Sequence, residues 1–464
     1  MAAIESTGNN RKRFIQSLLS SPARLTLVGF ATLIFVGADL LMLPWATREG
    51  GIGFIDALFT STSAVCVTGL TVVDTGGTFT RLGQIILLVL IQIGGLGFMT
   101  VSTLLLLIAG RRPGLSGQAV VQDTFTYSRD RTLPSIIRDV VLFTLAIEGA
   151  GTILMFFLFL HERGAESALY SSVFHTISAF CNAGFSLFPD SFLRYREDWA
   201  LNLLICFLII SGGIGFPVLS DLRHGFSYKR RKWSRLNLHS KMVLSTTFLL
   251  LLSGTLLILL MEYRNTLASL SSPAKILAAF FQSVTARTAG FNTLPVGNMA
   301  NETLFLLILL MFIGASPGSC GGGIKTTTFS TLLVLGMSRL RGHEYPNVFG
   351  RTVSEISISK TVSIVMISML VVFAGTLLLL MTELGGVSHL ASRGSFLEFF
   401  FEVVSAFGTV GLSTGVTGTL SSWGKFIITL IMFVGRLGPL VVAAAVSRRM
   451  VARFRYAEEG IMVG

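Results

Sequence analysis

The chain has 464 residues, 52% of them hydrophobic and only 13% charged, with a mean hydropathy of +0.73. A soluble domain carries about 25% charged residues, so this composition excludes an ordinary water-soluble globule. The net charge of +12 is confined to alternate connections between apolar runs, which speaks for membrane topology and against a nucleic-acid partner.

In chain order, residues 1–24 are a cytoplasmic N-terminal segment carrying Arg11, Lys12, Arg13 and Arg24. The apolar run Leu25–Leu43 follows. It is too long for a cleavable signal peptide and lacks a small-residue cleavage motif before Pro44. Further runs near the roughly 20 residues that a membrane-spanning helix needs are Val140–Leu160, Met242–Met261, Val362–Met381 and Lys425–Val446. Basic clusters recur at Arg111, Arg112, Arg129, Arg131 and Arg138; at Arg223, Lys229, Arg230, Arg231, Lys232, Arg235 and Lys241; at Arg339, Arg341, Arg351 and Lys360; and at Arg448, Arg449, Arg453 and Arg455. The connections between them mix charges, as in Asp190, Arg194, Arg196, Glu197 and Asp198. This positive-inside pattern predicts a multi-pass protein of the cell (inner) membrane with both termini in the cytoplasm.

Four segments share a pattern: Phe59 to Thr71, Phe174 to Ser186, Phe280 to Asn292 and Phe401 to Ser413. A Phe precedes a Gly by 10 residues each time (69−59, 184−174, 290−280, 411−401). A second glycine motif follows each: Gly94-Gly95-Leu96-Gly97, Gly212-Gly213-Ile214-Gly215, Gly314-Ala315-Ser316-Pro317-Gly318 and Gly435-Arg436-Leu437-Gly438. The expected fold is an all-α integral membrane protein. It has four tandem repeats of helix, pore loop and helix around a pseudo-fourfold pore, with about eight transmembrane helices in all. The repeats span 25–110, 111–222, 223–338 and 339–449, and 450–464 form a cytoplasmic C-terminal tail. Each repeat starts and ends on the cytoplasmic side, unlike the inverted repeats of many secondary transporters.

Non-helical backbone survives at membrane depth only where protein or a water-filled cavity satisfies it. Glycine reaches positive φ at little cost, so four such loops can direct a ring of carbonyls at a potassium ion. The expected filter residues are Val67, Thr68 and Gly69; Asn182, Ala183 and Gly184; Thr288, Ala289 and Gly290; and Thr409, Val410 and Gly411. Gly94, Gly97, Gly212 and Gly215 also suit close helix packing. The third repeat departs from the others. A Pro and several Gly among Gly314, Ser316, Pro317, Gly318, Ser319, Gly321, Gly322, Gly323 and Lys325 rule out a continuous helix, so Gly314–Thr328 reads as an irregular intramembrane loop below the filter. A phosphate-binding loop is a poor match, because Ile324 precedes Lys325 and no strand leads in.

An Arg at mid-membrane needs a pore or a partner. Arg436 is expected either to form a barrier near this loop or to make a salt bridge inside the bundle. Arg287 is expected to brace the filter against Glu402. Glu148 suits a proton or sodium site, or a hydrogen bond to a neighbouring helix. Cys66, Cys181, Cys206 and Cys320 form no CxxC pair and read as small buried residues. The six histidines are scattered without HExxH or triad spacing, so no enzyme is expected.

The four pore segments, the loop Gly314–Thr328 and Gly435-Arg436-Leu437-Gly438-Pro439-Leu440 resemble the Trk/Ktr/HKT superfamily of potassium transporters over Arg24 to Arg449. The first repeat begins almost at the N-terminus, without the two leading helices of Trk-type subunits, and so is most similar to the bacterial KtrB type of membrane subunit. The resemblance implies a homodimer with one pore per protomer and a cytosolic ring of RCK subunits that binds ATP and ADP. It implies potassium as the ion, with sodium stimulating uptake. It places filter glycines at Gly69, Gly184, Gly290 and Gly411, a gate at Gly314–Thr328, and a pore-constricting arginine at Arg436. Glycine and not serine at Gly69 favours potassium over sodium. No nucleotide motif or organic cofactor site lies in this chain; the loop Arg223–Lys241 and the tail Arg448–Arg455 are candidate docking surfaces for the ring. The alternative is a sodium- or proton-coupled secondary transporter of another small solute, with Glu148 or Glu402 as the coupling group.

Overall fold

The computed structural model describes residues 22–97, 133–226, 233, 236–439 and 441–442. The basic residues Arg11, Lys12, Arg13, Arg111, Arg112, Arg129, Arg131, Lys229, Arg230, Arg231, Lys232 and Arg235, and the tail with Arg448 to Arg455, lie outside the described residues.

Four long apolar helices dominate: α1 (Pro22–Leu41), α4 (Leu133–Leu160), α8 (Leu238–Glu262) and α12 (Glu355–Glu383). Each is long enough to cross a membrane. Each is followed by a shorter helix: α2 (Phe54–Val65), α5 (Ala165–Phe180), α9 (Ser272–Thr285) and α13 (Ser395–Gly408). Another helix follows each of those: α3 (Arg81–Gly95), α6 (Trp199–Ile214), α10 (Asn301–Phe312) and α14 (Ser422–Leu437). The helix α7 (Phe216–Phe226) continues α6 after a 99° bend. The helix α11 (Thr326–Leu340) resumes beyond the irregular stretch after α10. A two-stranded hairpin, β1 (Asn347–Val348) with β2 (Arg351–Thr352), precedes α12. The helices of the α3, α6, α10 and α14 set run only 12–16 residues within the described chain, because glycines or a Pro interrupt them.

The burial pattern is that of a membrane protein. The long helices expose Phe35, Leu145, Phe157, Phe248, Leu260, Leu370 and Phe373, an outward apolar face that a lipid solvent accepts. The short helices form the core instead. In α2, every residue from Ala57 to Val65 is buried, hydroxyls included. Such polar side chains need local partners: Thr60 and Thr62 donate to the carbonyls of Asp56 and Leu58, and Ser61 donates to Ile34 O of α1 at 2.7 Å. Ser283 of α9 repeats that contact with Leu251 O of α8 at 3.0 Å. Gly37 and Gly254 supply the room, since a Cβ at either would overlap Ser61 or Ser283.

Packing closes in a cycle. The helices α3, α6, α10 and α14 lie against α5, α9, α13 and α2 respectively, so the last contact joins the end of the chain to its beginning. Among the described residues, two of these seams carry ion pairs. Arg81–Glu166 joins α3 to α5 at 2.6 Å and is largely exposed; Lys425–Asp56 joins α14 to α2 at 2.7 Å with both side chains mostly covered. Exposed pairs contribute about 0–1 kcal/mol, whereas breaking a buried one costs about 3–5 kcal/mol. The covered pair therefore ranks between these limits. Lys425→Met is expected to lower stability by about 1–2 kcal/mol and Arg81→Met by under about 1 kcal/mol. Thermal unfolding of the detergent-solubilised protein reads both, and a larger effect at Arg81 would refute the ranking.

Candidate functional site

The four short helices converge with their C-termini together, and each ends in the same turn. Val67, Asn182, Thr288 and Thr409 have φ of 55°, 60°, 70° and 51°, and the glycines two residues on, Gly69, Gly184, Gly290 and Gly411, have φ of 90°, 70°, 78° and 90°. Positive φ at a β-branched residue is strained by about 1–3 kcal/mol, and strain of this kind collects at functional sites. The intervening Thr68, Ala183, Ala289 and Val410 keep negative φ. Alternating signs turn successive carbonyls toward one side, where an extended strand would alternate them.

The turns are held by their own helices. The N–H groups of Thr68, Ala183 and Val410 donate to the carbonyls of Ser63, Ser178 and Ser405 at 2.8, 2.7 and 2.9 Å. The same serines also act through their side chains. The Oγ of Ser63 and of Ser405 accept from the N–H of Gly69 and Gly411 at 3.0 and 3.1 Å, and Ser178 donates to Phe185 O at 2.8 Å. In the third segment Thr285 takes this place, donating to Phe291 O at 2.8 Å. The frame there is one residue shorter: 290−285 is 5, whereas 69−63, 184−178 and 411−405 are 6. The turn closes from Ala289 N to Thr285 O at 3.0 Å. Consequently Phe281, fully buried, matches Phe59, Phe174 and Phe401, while Phe280 is only half-buried. This corrects the uniform spacing that starts from Phe280.

The four glycines form a closed ring in chain order. A Cβ on Gly69 would lie 2.5 Å from Ala183 O; on Gly184, 2.8 Å from Ala289 O; on Gly290, 2.5 Å from Val410 O; and on Gly411 it would overlap Thr68 O. Real Cβ atoms do not approach that closely, so sterics as well as φ restrict all four positions to glycine. One face of the ring floors a cavity of about 470 Å³ whose wall includes Thr71, Ser186, Asn292 and Ser413. That wall carries two carboxylates, Asp74 and Asp190, and no basic side chain. Helix C-termini carry roughly half a negative charge each, so four of them behind the ring favour a cation at its centre.

The other face meets the irregular segment. Gly322 N donates to Thr409 Oγ1 at 2.9 Å, and a Cβ on Gly321 would overlap the Thr288 side chain. The segment is stitched to its surroundings by Ser316 N to Gly213 O (3.0 Å), Cys320 N to Gly212 O (3.1 Å) and Phe216 N to Gly318 O (3.0 Å). Within it, Thr326 Oγ1 donates to Ser316 Oγ at 3.0 Å, Ser319 Oγ donates to Ser316 O at 2.6 Å, and Lys325 Nζ donates to Gly321 O at 2.6 Å. Gly318 and Gly323 have positive φ, and Pro317 lies among them, so the stretch between α10 and α11 is not helical. Arg436 of α14 reaches across to donate to two main-chain carbonyls, Cys320 O and Gly94 O. A lone Arg at mid-membrane costs about 2.5–3.5 kcal/mol, and carbonyl acceptors offset this without a carboxylate.

The remaining expectations divide. Glu148 is buried and accepts from Gln92 Nε2 of α3 at 3.1 Å, the neighbouring-helix hydrogen bond. Arg287 does not pair with Glu402. That carboxylate is occupied by the hydroxyl of Ser413, by Thr417 Oγ1 at 2.9 Å and by Thr414 N at 3.3 Å, all in its own segment. Residue order alone could not reveal that Glu402 braces the loop leading away from Gly411. All four cysteines are free and buried. Asn182 faces Thr288 Oγ1 at 3.1 Å, linking two adjacent turns. The bracing hydroxyls Ser63, Ser178 and Ser405 went unassigned in the sequence, although their fixed offset from each glycine was a usable signal.

The second glycine motifs have two jobs. Gly94, Gly212 and Gly435 let α3, α6 and α14 touch the carbonyls of Val65, Phe180 and Phe407 at the ends of the short helices. Gly97, Gly215 and Gly438 instead have φ of 77°, 97° and 83° and follow the helix ends.

Long lipid-facing helices enclosing short buried ones, with main-chain carbonyls gathered where those converge, define a multi-pass membrane protein of the ion-transport class. The chain belongs to the TrkH family, described as a cation transport protein, which matches residues 27–452. This is a transport family and not an enzyme family. The chain is 40% identical over 456 residues to the Ktr system potassium uptake protein B of Bacillus subtilis, covering 98% of this chain and 99% of the relative. It is 36% identical over 453 residues to the potassium/sodium uptake protein NtpJ of Enterococcus hirae, covering 96% and 97%. Its fold is similar to the crystal structure of the potassium transporter TrkH from Vibrio parahaemolyticus, with a TM-score of 0.70, 20% identity and coverage of 91% of this chain and 83% of that one.

The glycine contacts give a paired expectation. Gly212→Ala forces a methyl into Phe180 O and is expected to cost about 1–3 kcal/mol. Gly149→Ala, in α4 with nothing within 4 Å, is expected to gain about 0.5–1 kcal/mol from helix propensity. Thermal unfolding of the two variants checks both signs.

Proposed function

We propose that this protein takes up potassium across the cell membrane through a pore lined by the four glycine turns, arranged as four tandem repeats about a pseudo-fourfold axis. The observation that carries this reading is the closed ring Gly69, Gly184, Gly290, Gly411, each glycine against the carbonyl that precedes the next. The carbonyls of Val67, Thr68 and Gly69 and of their counterparts in the other three segments replace the hydration shell of potassium. The acidic-walled cavity faces outside and gathers cations; the loop Gly314–Thr328 crosses the path on the cytoplasmic side. Arg436 and Lys325 hold that loop by its carbonyls, and moving it opens the path. The names of the Bacillus and Enterococcus relatives support potassium as the ion and sodium as a participant in transport.

In this reading the termini are cytoplasmic and the protein works as a homodimer under a cytosolic RCK-type ring that binds ATP and ADP. The ring docks on the loop Arg223–Lys241 and the tail Arg448–Arg455. Glu148 braces a neighbouring helix and Glu402 the loop after Gly411, and neither couples ions, as their engaged oxygens suggest.

Expression with the matching regulatory ring is expected to restore growth of a potassium-uptake-deficient bacterium at low potassium; no rescue despite membrane insertion of the protein would falsify the reading. Gly69→Ser is expected to lower the potassium-to-sodium uptake ratio by about tenfold, the effect of losing roughly 1.4 kcal/mol of discrimination at one carbonyl site. An unchanged ratio in isotope flux would remove Gly69 from the filter.

A further inference from the structure

Arg287 stands two residues beyond the bracing hydroxyl of its turn, as Val65, Phe180 and Phe407 do in the other three (287−285, 65−63, 180−178 and 407−405 are all 2). Those three are apolar and their carbonyls abut a helix glycine. In the third quadrant the following helix is broken at Phe312, and Gly314 turns instead to Gly322 O. Arg287 is 7% exposed, and its Nε and Nη1 have no hydrogen-bond partner. It lines a cavity of about 20 Å³ together with Thr247 of α8, whose hydroxyl is also buried and unpartnered. The rest of the wall is Ile209, Ile214, Leu251 and Ala315 among similar apolar groups. Arg436, by contrast, has its guanidinium bonded to two carbonyls.

We infer that this cavity binds one small, weakly hydrated monovalent anion of the halide class, held by the Arg287 guanidinium and the Thr247 hydroxyl. The volume suits a single water-sized occupant. The chemistry selects an anion over water. A guanidinium offers only donors, so a water there would accept from Arg287, while the side chains of the wall offer its own hydrogens a single acceptor, the Thr247 hydroxyl. An anion accepts from every donor and also neutralises a charge that no carboxylate among the described residues meets. Such an ion would keep a positive charge beside Thr288 and Gly290 from repelling cations in the ring.

The purified protein tests this independently of potassium transport. At equal potassium concentration, the melting temperature is expected to be higher in potassium chloride or bromide than in potassium gluconate, rising with the logarithm of halide concentration. Arg287→Met is expected to abolish the difference. Should that variant not fold, Thr247→Val is expected to raise the half-maximal halide concentration by about tenfold, the loss of one hydrogen bond to a charged group. Crystals grown in potassium bromide are expected to give an anomalous peak between Arg287 and Thr247. Equal melting temperatures in the three salts, a difference that survives Arg287→Met, or no bromide peak in the cavity would each overturn the inference.

Discussion

A peptide group at membrane depth has no water to bond with, and the rest of this structure follows from how four non-helical turns meet that requirement. Their N–H groups are spent locally, on the carbonyls of Ser63, Ser178, Thr285 and Ser405 and on the hydroxyls of Ser63 and Ser405. Their carbonyls are left over and collect at the centre. Everything outward of that centre keeps the arrangement fixed. The short helices must be wholly buried, so the long helices cover them and turn apolar faces to lipid. Helices α3, α6 and α14 must come close enough to seat the helix ends, so they carry glycine at Gly94, Gly212 and Gly435.

The third quadrant breaks this regularity in several linked ways. Its turn is one residue shorter, its following helix is interrupted, and its post-hydroxyl position holds Arg287 in place of an apolar residue. The interruption frees a stretch of chain to pass beneath the ring and touch Thr288 and Thr409. That stretch is irregular, yet it is well bonded, to Gly212 and Gly213 on one side and to Arg436 on the other. Two cationic side chains, Lys325 and Arg436, hold carbonyls that would otherwise be bare. Displacing the segment therefore requires replacing several polar contacts together.

Much of this was legible in the residues. The long spans follow from hydropathy, the turn glycines from their fixed place after a Phe and before a polar residue, and the interruption from Pro317 and its neighbouring glycines. The frame of the third segment was not, because Phe280 and Phe281 are adjacent and only burial tells which one packs. Pairings across the bundle were also hidden. Glu402 and Arg287 are both buried charges, and nothing in their order reveals that Ser413 and Thr417 already satisfy the carboxylate. Nor does sequence give the cyclic order of the four turns, which depends on α14 returning to α2. The covered Lys425–Asp56 pair at that seam joins residues 369 apart in the chain.

The ring in chain order has a consequence for how such a protein can change over generations. Where four identical subunits meet, one codon alters four walls at once. Here each wall has its own codon, and the stoichiometry is set by covalent linkage. The residue two before each glycine already differs from turn to turn, Val67, Asn182, Thr288 and Thr409, while the glycine stays, so one quarter of the ring can be adjusted by a codon that the other three do not share. The third quadrant, with its shorter turn and interrupted helix, shows that the other three keep their geometry beside one that departs from it.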